Sequence, residues 1–96
     1  MTSSRVDALA DILVQHSTEI KPGDFVLIDG TEAAAPLLLA CYRKVLEAGG
    51  NPRLNVGLEE AQEILLAHGN DTQLEFLDPV SKFQADTIQA AIRIRY

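Results

Sequence analysis

Four apolar residues in a row, Phe25-Val26-Leu27-Ile28, constrain this chain more than any other stretch. Lys-Pro-Gly-Asp precedes them at 21–24 and Asp29-Gly30 follows. A run this short, aromatic and β-branched suits a strand covered on both faces. Pro22 presets φ for the second position of a tight turn, and Gly23 supplies the positive φ that a type II turn needs at its third. Helical patterns lie on either side. The run is therefore expected to be the central strand of an α/β unit.

The preceding helix is expected to start near Ser4, where Ser4 and Asp7 have capping-box-like spacing. Val6, Leu9, Ala10, Leu13 and Val14 share one face of it, with an end near Ser17. Ile12 lies off that stripe and is expected to touch another element. After the strand, Thr31 is a candidate N-cap, and Pro36 marks a possible later start, since proline is tolerated in a helix's first turn. Leu38, Cys41, Val45 and Ala48, widened by Leu37 and Ala40, form the next stripe. Gly49-Gly50 stops that helix and Asn51-Pro52 is expected to turn the chain.

Residues 53–58 alternate, with Leu54, Val56 and Leu58 apolar, which predicts a strand with one face better covered. A third helix is expected over Glu59–His68, with Ala61, Ile64, Leu65 and His68 on one face and Gly69 after it. Asn70 or Asp71 could cap a short turn carrying Leu74 and Leu77. Asp78-Pro79 opens another helix, with Val80, Phe83, Thr87 and Ile88 at helical spacing to about Gln89. The period then falls to two over Ile92, Ile94 and Tyr96, a third strand.

Strands separated by helices form parallel sheets with right-handed crossovers. The expected fold class is thus α/β: a three-stranded parallel Rossmann-like sheet flanked by helices, one unit over residues 1–96. Its last strand has no helix after it, and a parallel strand normally needs both faces covered. The expectation is an incomplete domain, either continued past Tyr96 or covered by a second chain.

Fourteen acidic residues against eight basic ones give a net charge of −6. This disfavours nucleic-acid and anionic-membrane binding, which need clustered Lys and Arg. No stretch has the ~18 apolar residues of a membrane span, and residues 1–7 lack the apolar core of a signal peptide. A cytoplasmic protein is expected. Cys41, the one cysteine, falls in a helical apolar pattern and reads as a buried, inert thiol.

Chemistry-bearing residues are few. The loop Asp29-Gly30-Thr31-Glu32 lies at the carboxyl end of a strand, where open α/β sheets bind ligands. It has one glycine, two carboxylates and no phosphate-loop lysine, which argues for a turn and helix cap over a nucleotide site. His16 and His68 stand near helix ends, where the dipole favours a cation, and neither has a metal partner at i+4. Glu59, Glu60 and Glu63 read as a solvated acidic first turn. Ser3, Ser4, Ser17 and Ser81 have no nearby His and Asp to activate them. Tyr42 reads as a packing or surface residue of its helix. Arg93 and Arg95 would share one side of the last strand, meeting acidic partners or solvent. No catalytic, cofactor-binding or metal-binding residue is assigned on these patterns.

One ordered set of residues resembles a known family. It comprises Leu13-Val14 with Ser17, Lys21-Pro22-Gly23-Asp24, Val26-Leu27-Ile28 and Gly30. It continues with Glu32-Ala33, Pro36-Leu37, Ala40, Tyr42-Arg43, Leu46-Glu47-Ala48-Gly49-Gly50 and Pro52. This is similar to the N-terminal segment of the thermophilic metallo-aminopeptidases typified by aminopeptidase T. The likeness is strongest over 12–57 and loosest at the third strand, where Gln89 replaces an expected acidic residue. The resemblance implies a cytoplasmic, dimeric exopeptidase that removes N-terminal residues from peptides using two divalent metal ions, zinc or cobalt. Its Glu, His, Tyr and Asp metal ligands belong to the later part of family members, and no position here matches them. The expected function is therefore the N-terminal scaffold portion of such an enzyme, inactive by itself. The alternative is a small non-enzymatic Rossmann-like module that binds a nucleotide or a protein partner.

Overall fold

In the computed structural model the described residues are 4–16 and 19–94, with the side chains of Ser4, Gln15 and His16 left aside. The order is α1 (Ser4–Asp11), a π-helical turn (Ile12–His16), β1 (Phe25–Thr31), a 3-10 turn (Glu32–Ala34), α2 (Ala35–Glu47), β2 (Asn51–Gly57), α3 (Glu59–His68), α4 (Asp71–Leu74), α5 (Pro79–Thr87) and β3 (Ala90–Arg93). The three strands form one parallel sheet in the order β2-β1-β3. The fold is α/β, with β1 at the centre as expected and three residues longer than its apolar run.

The turn that feeds β1 forms as its sequence dictates. Gly23 has φ +89°, and the Asp24 N–H donates to Lys21 O at 3.0 Å. Gly49 has the same φ. It ends α2 in a Schellman arrangement, with Gly50 N–H on Val45 O and Gly49 N–H on Leu46 O, both 3.0 Å. Gly23 N–H then donates to Gly49 O at 2.9 Å, tying the two turns together.

Strand alternation divides the sheet into two faces. Val26 and Ile28 are fully buried and join Leu38, Cys41, Val45 and Ile92 in the main core. Register puts Pro52, Leu54 and Ala90 on that same face. α2 covers it, and α1 lies against α2. Burial of Ala10 and Val14, at i and i+4, follows from that contact. Because α1 meets only a narrow surface, Leu9 is exposed. Ile12 is exposed too, contrary to its expected contact. The Asp7 carboxylate accepts from Arg43 of α2 at 2.8 Å. The cap expected at Ser4 and the helix end at Ser17 fall outside what is described.

Three further boundaries differ from the sequence expectation. Asn51 and Pro52 belong to β2 rather than to a turn. Asn51 N–H donates to Asp24 O at 2.7 Å, which directs the Pro52 nitrogen to the free edge, where no N–H is needed. α5 ends at Thr87, two residues before Gln89. β3 begins at Ala90, two residues before Ile92, because Gln89 already pairs with β1: its N–H donates to Phe25 O, and its side-chain oxygen accepts from Phe25 N–H. Ile94 is buried just beyond β3. Arg95 and Tyr96 lie outside the described residues.

The second crossover, from β2 to β3, is the open side. Right-handed connections send α2 and the α3–α5 segment to opposite faces when strand order runs 2-1-3. α3 has the expected bounds but buries none of its residues, so the expected Ala61, Ile64, Leu65 and His68 face is uncovered. α4 is capped by an Asn70–Gln73 capping box, and Asp78 caps α5 by accepting from Val80 N–H at 2.9 Å. Local signals therefore define these helices well. Yet Leu58, Leu66, Phe76, Leu77, Val80 and Phe83 are all exposed, Leu77 at 86% and Phe83 at 69%. Total accessible surface is 6851 Å². A compact monomer of this mass would expose about 5,400 Å². The radius of gyration is 15.0 Å, against about 12.5 Å for a compact chain of this length.

Candidate functional site at the carboxyl end of the sheet

Parallel strands deliver their carboxyl ends to one edge of the sheet, and β2-β1-β3 order places a switch point there. The chain leaves β1 toward β2 over one face and reaches β3 over the other, so the two connections diverge between β1 and β3. Ligands of open α/β sheets bind in the crevice this divergence leaves. Here a crevice of about 370 Å³ opens at that point. β1 contributes Asp29, Gly30 and Thr31, β2 contributes Gly57, the end of β3 contributes Arg93, and α3 contributes Gln62.

Each residue is placed by local structure. Asp29 and Arg93 are register partners, and Ile94 N–H donates to Asp29 O at 2.8 Å, which fixes the two strand ends together. Gly30 permits this closeness: a Cβ there would meet Leu38 Cδ2 at 3.0 Å and Ile94 O at 3.3 Å. The Arg93 Nε lies 3.9 Å from Asp29 Oδ2, beyond hydrogen-bond reach, with the two side chains 52% and 41% exposed. Such a pair contributes at most about 1 kcal/mol. Thr31 occupies the N-cap position, but its hydroxyl makes no capping hydrogen bond. Glu32 instead reaches across to accept from Glu59 N–H at 3.3 Å, giving α3 the cap that Leu58 does not supply.

A second hollow adjoins the first, sharing Thr31, Gly57 and Gln62 and adding Glu59 and Glu63. The sequence pointed to the Asp29–Glu32 loop and to Arg93 separately, and the fold brings Asp29, Thr31 and Arg93 together. Gln62 was missed. Its signal, a polar residue in the first turn of a helix that follows a strand, is too common to stand out. Glu60, His68 and Ser81 stay apart from the crevice. His68 flanks a shallow hollow at the end of α3, and Ser81 Oγ donates to its neighbour Asp78 at 3.2 Å. Tyr42 packs half-buried against the main core. His16, Ser3, Ser17 and Arg95 are not among the described side chains. Cys41 is fully buried, and burial pushes its thiol up to about 11, away from the reactive thiolate.

The described residues do not fit a divalent-metal centre. Among the described residues no three His, Cys, Asp or Glu side chains converge. In the crevice a guanidinium stands beside the Asp29 carboxylate, where a cation would have to bind. No described helix is long and apolar enough to cross a membrane.

Fold and crevice together define an open α/β unit with a ligand-type cleft at its switch point. The chain belongs to the thermophilic metalloprotease family M29, whose sequence model matches residues 2–95. Neither the curated proteins nor the solved structures compared with it include a match. Membership places the chain in a metallopeptidase family, in agreement with the resemblance carried by Lys21–Asp24 and Leu46–Pro52.

Proposed function

We propose that residues 1–96 are the N-terminal scaffold portion of a metal-dependent aminopeptidase, whose metal ligands come from a later part of the polypeptide. Family membership supports a peptidase parent. The observation that carries the scaffold role is the uncovered apolar side of α3–α5, with Leu66, Leu77, Val80 and Phe83 in solvent. Apolar patches of this extent mark surfaces that dock against something. In this reading the side packs against the remainder of the enzyme, and the well-packed α2 face holds the sheet rigid. The peptide substrate, the pair of divalent ions (zinc or cobalt), the cytoplasmic setting and the homodimer implied by the resemblance belong to that whole enzyme.

Of the alternative, a small Rossmann-like module binding a nucleotide or a protein partner, the nucleotide form gains nothing from the crevice, because Asp29, Glu59 and Glu63 line it and its neighbour and would repel phosphate. The direct test is hydrolysis of an aminoacyl-nitroanilide by the 96-residue chain in zinc or cobalt buffer. The scaffold reading expects background rates only. Metal-dependent turnover that chelator abolishes would place a catalytic centre within these residues and end the reading.

A further inference from the structure

We infer that the hollow between α5 and the second face of the sheet is a socket for an acidic anchor. The anchor is an Asp or Glu side chain with an apolar side chain beside it, carried by the part of the enzyme that covers α3–α5. The inference rests on the scaffold reading for there being such a part, and adds the chemistry by which it is recognised. Phe25 of β1, Arg53 of β2 and Val80, Phe83, Gln84 and Thr87 of α5 line the hollow. Strand alternation turns Phe25 and Leu27 away from the Val26–Ile28 face, and register sets Arg53 beside Leu27. This is the sheet face that α2 does not cover.

Two side chains on that lining have donors to spare. Gln84 is the one polar residue buried among the described residues, at 8% exposure, and its side-chain amide makes no hydrogen bond among them. Buried amides in native proteins are hydrogen-bonded, so this one is set for a group that a covering element brings. Arg43, Lys44, Lys82 and Arg93 each have a carboxylate within 3.9 Å. Arg53 has neither an ion pair nor a hydrogen bond among the described residues. A carboxylate entering the hollow can accept from the planar guanidinium of Arg53 and from the Gln84 amide together. The Thr87 hydroxyl is already engaged, donating to Phe83 O at 2.8 Å.

Charge and size choose the occupant. Arg53 is the one charged residue on the lining, so the hollow matches an anion and not a cation. Its volume is about 250 Å³, below the roughly 300–1,000 Å³ of pockets that enclose whole small molecules. That size suits side chains inserted from a covering element. Phe25, Val80 and Phe83 supply the apolar wall, with Phe83 69% exposed. Aromatic residues and Arg are the types enriched where proteins dock. A nucleic-acid strand or an anionic membrane would need clustered cations, and a single guanidinium is not a cluster.

The test is amide-resolved NMR of the 96-residue chain titrated with 4-phenylbutyrate, its methyl ester and 4-phenylbutylamine. These mimic the anchor with its charge kept, removed and reversed. Saturable shifts are expected at Phe25, Arg53, Phe83 and Gln84 with the carboxylate. The ester and the amine should bind at least about tenfold more weakly, a loss of one charge-assisted contact. Arg53→Gln should weaken carboxylate binding by about tenfold and leave the ester unchanged. Arg53→Glu should reverse the preference in favour of the amine, and Gln84→Leu should narrow the carboxylate's advantage over the ester. Resonances of the α2 face should stay in place in all three variants. The inference is overturned by the absence of saturable shifts at millimolar carboxylate, or by an ester or amine that binds as well. It is equally overturned by a preference that Arg53→Glu leaves unchanged. The scaffold reading survives those results and fails by a different one, metal-dependent turnover by this chain.

Discussion

Gly23 and Gly49 offer a comparison in which one energetic contribution is held fixed. Both have φ +89°, and the first donates its N–H to the carbonyl of the second. Alanine at either position must enter the left-handed region, at a cost of about 1–2 kcal/mol. The lower entropy of the unfolded alanine chain offsets the same part of that cost at both positions, so it drops out of the comparison. The surroundings differ. A Cβ at Gly23 meets nothing within 4 Å, whereas one at Gly49 meets Pro22 Cβ at 3.2 Å and Cα at 3.3 Å. Pro22 is held by the turn that Gly23 closes, so it cannot yield without disturbing the start of β1. Overpacking of this kind costs about 1 kcal/mol or more. Gly23→Ala should therefore destabilise by about 1–2 kcal/mol, and Gly49→Ala by about 1 kcal/mol beyond that. Urea unfolding followed by circular dichroism reads the gap as a midpoint difference of several tenths of a molar or more, at slopes of ~1–3 kcal/mol/M. Equal midpoints, or a larger loss at Gly23, would refute the argument that contact with Pro22 separates the two turns.

Ile28 is fully buried in the central strand, so Ile28→Ala should cost about 2–5 kcal/mol in urea unfolding, whereas Leu77→Ala, at 86% exposure, should stay within ~0.5 kcal/mol. Burial raises the Cys41 thiol from 9.0 to about 11. Between those values the unfolded chain has lost a proton that the folded chain retains, so stability should fall as pH rises from about 9 to 11. Cys41→Ala, compared with wild type across that window, should remove this slope, and a thiol reagent should label native Cys41 far more slowly than the urea-unfolded chain. The Arg43–Asp7 pair is 2.8 Å long but lies at the surface, so Asp7→Asn should cost no more than about 1 kcal/mol, shrinking in high salt.

Features legible in the sequence were those set by neighbours along the chain. Pro22-Gly23 and Gly49-Gly50 demand particular φ values, and both formed. Asp78-Pro79 and Asn70 carry their helix starts within three residues, and both caps are present. The stripe of Leu37, Leu38, Ala40, Cys41 and Val45 is buried because α2 alone covers its sheet face. Misreadings came where the outcome depends on what lies opposite. Helical periodicity gives α3 and α5 an apolar face but cannot say that anything meets it, and Phe83 stands in solvent. Asn51-Pro52 reads as a turn, yet an edge strand tolerates proline when its nitrogen points outward. The candidate crevice was half visible. Asp29 and Thr31 adjoin in sequence, but Gln62 and Arg93 reach them only through two crossovers, and no local pattern encodes that meeting.

The scaffold role turns on the apolar side of α3–α5 being uncovered in this chain. Its most direct test is a Leu77→Asp/Phe83→Asp variant, compared with wild type by emission of a hydrophobic-surface dye and by urea unfolding. If those side chains stand in solvent, dye emission should fall clearly and stability should shift by less than about 1 kcal/mol. Unchanged emission, or a loss of about 3 kcal/mol or more as for buried residues, would show that this side is already part of a closed core and would contradict the scaffold role.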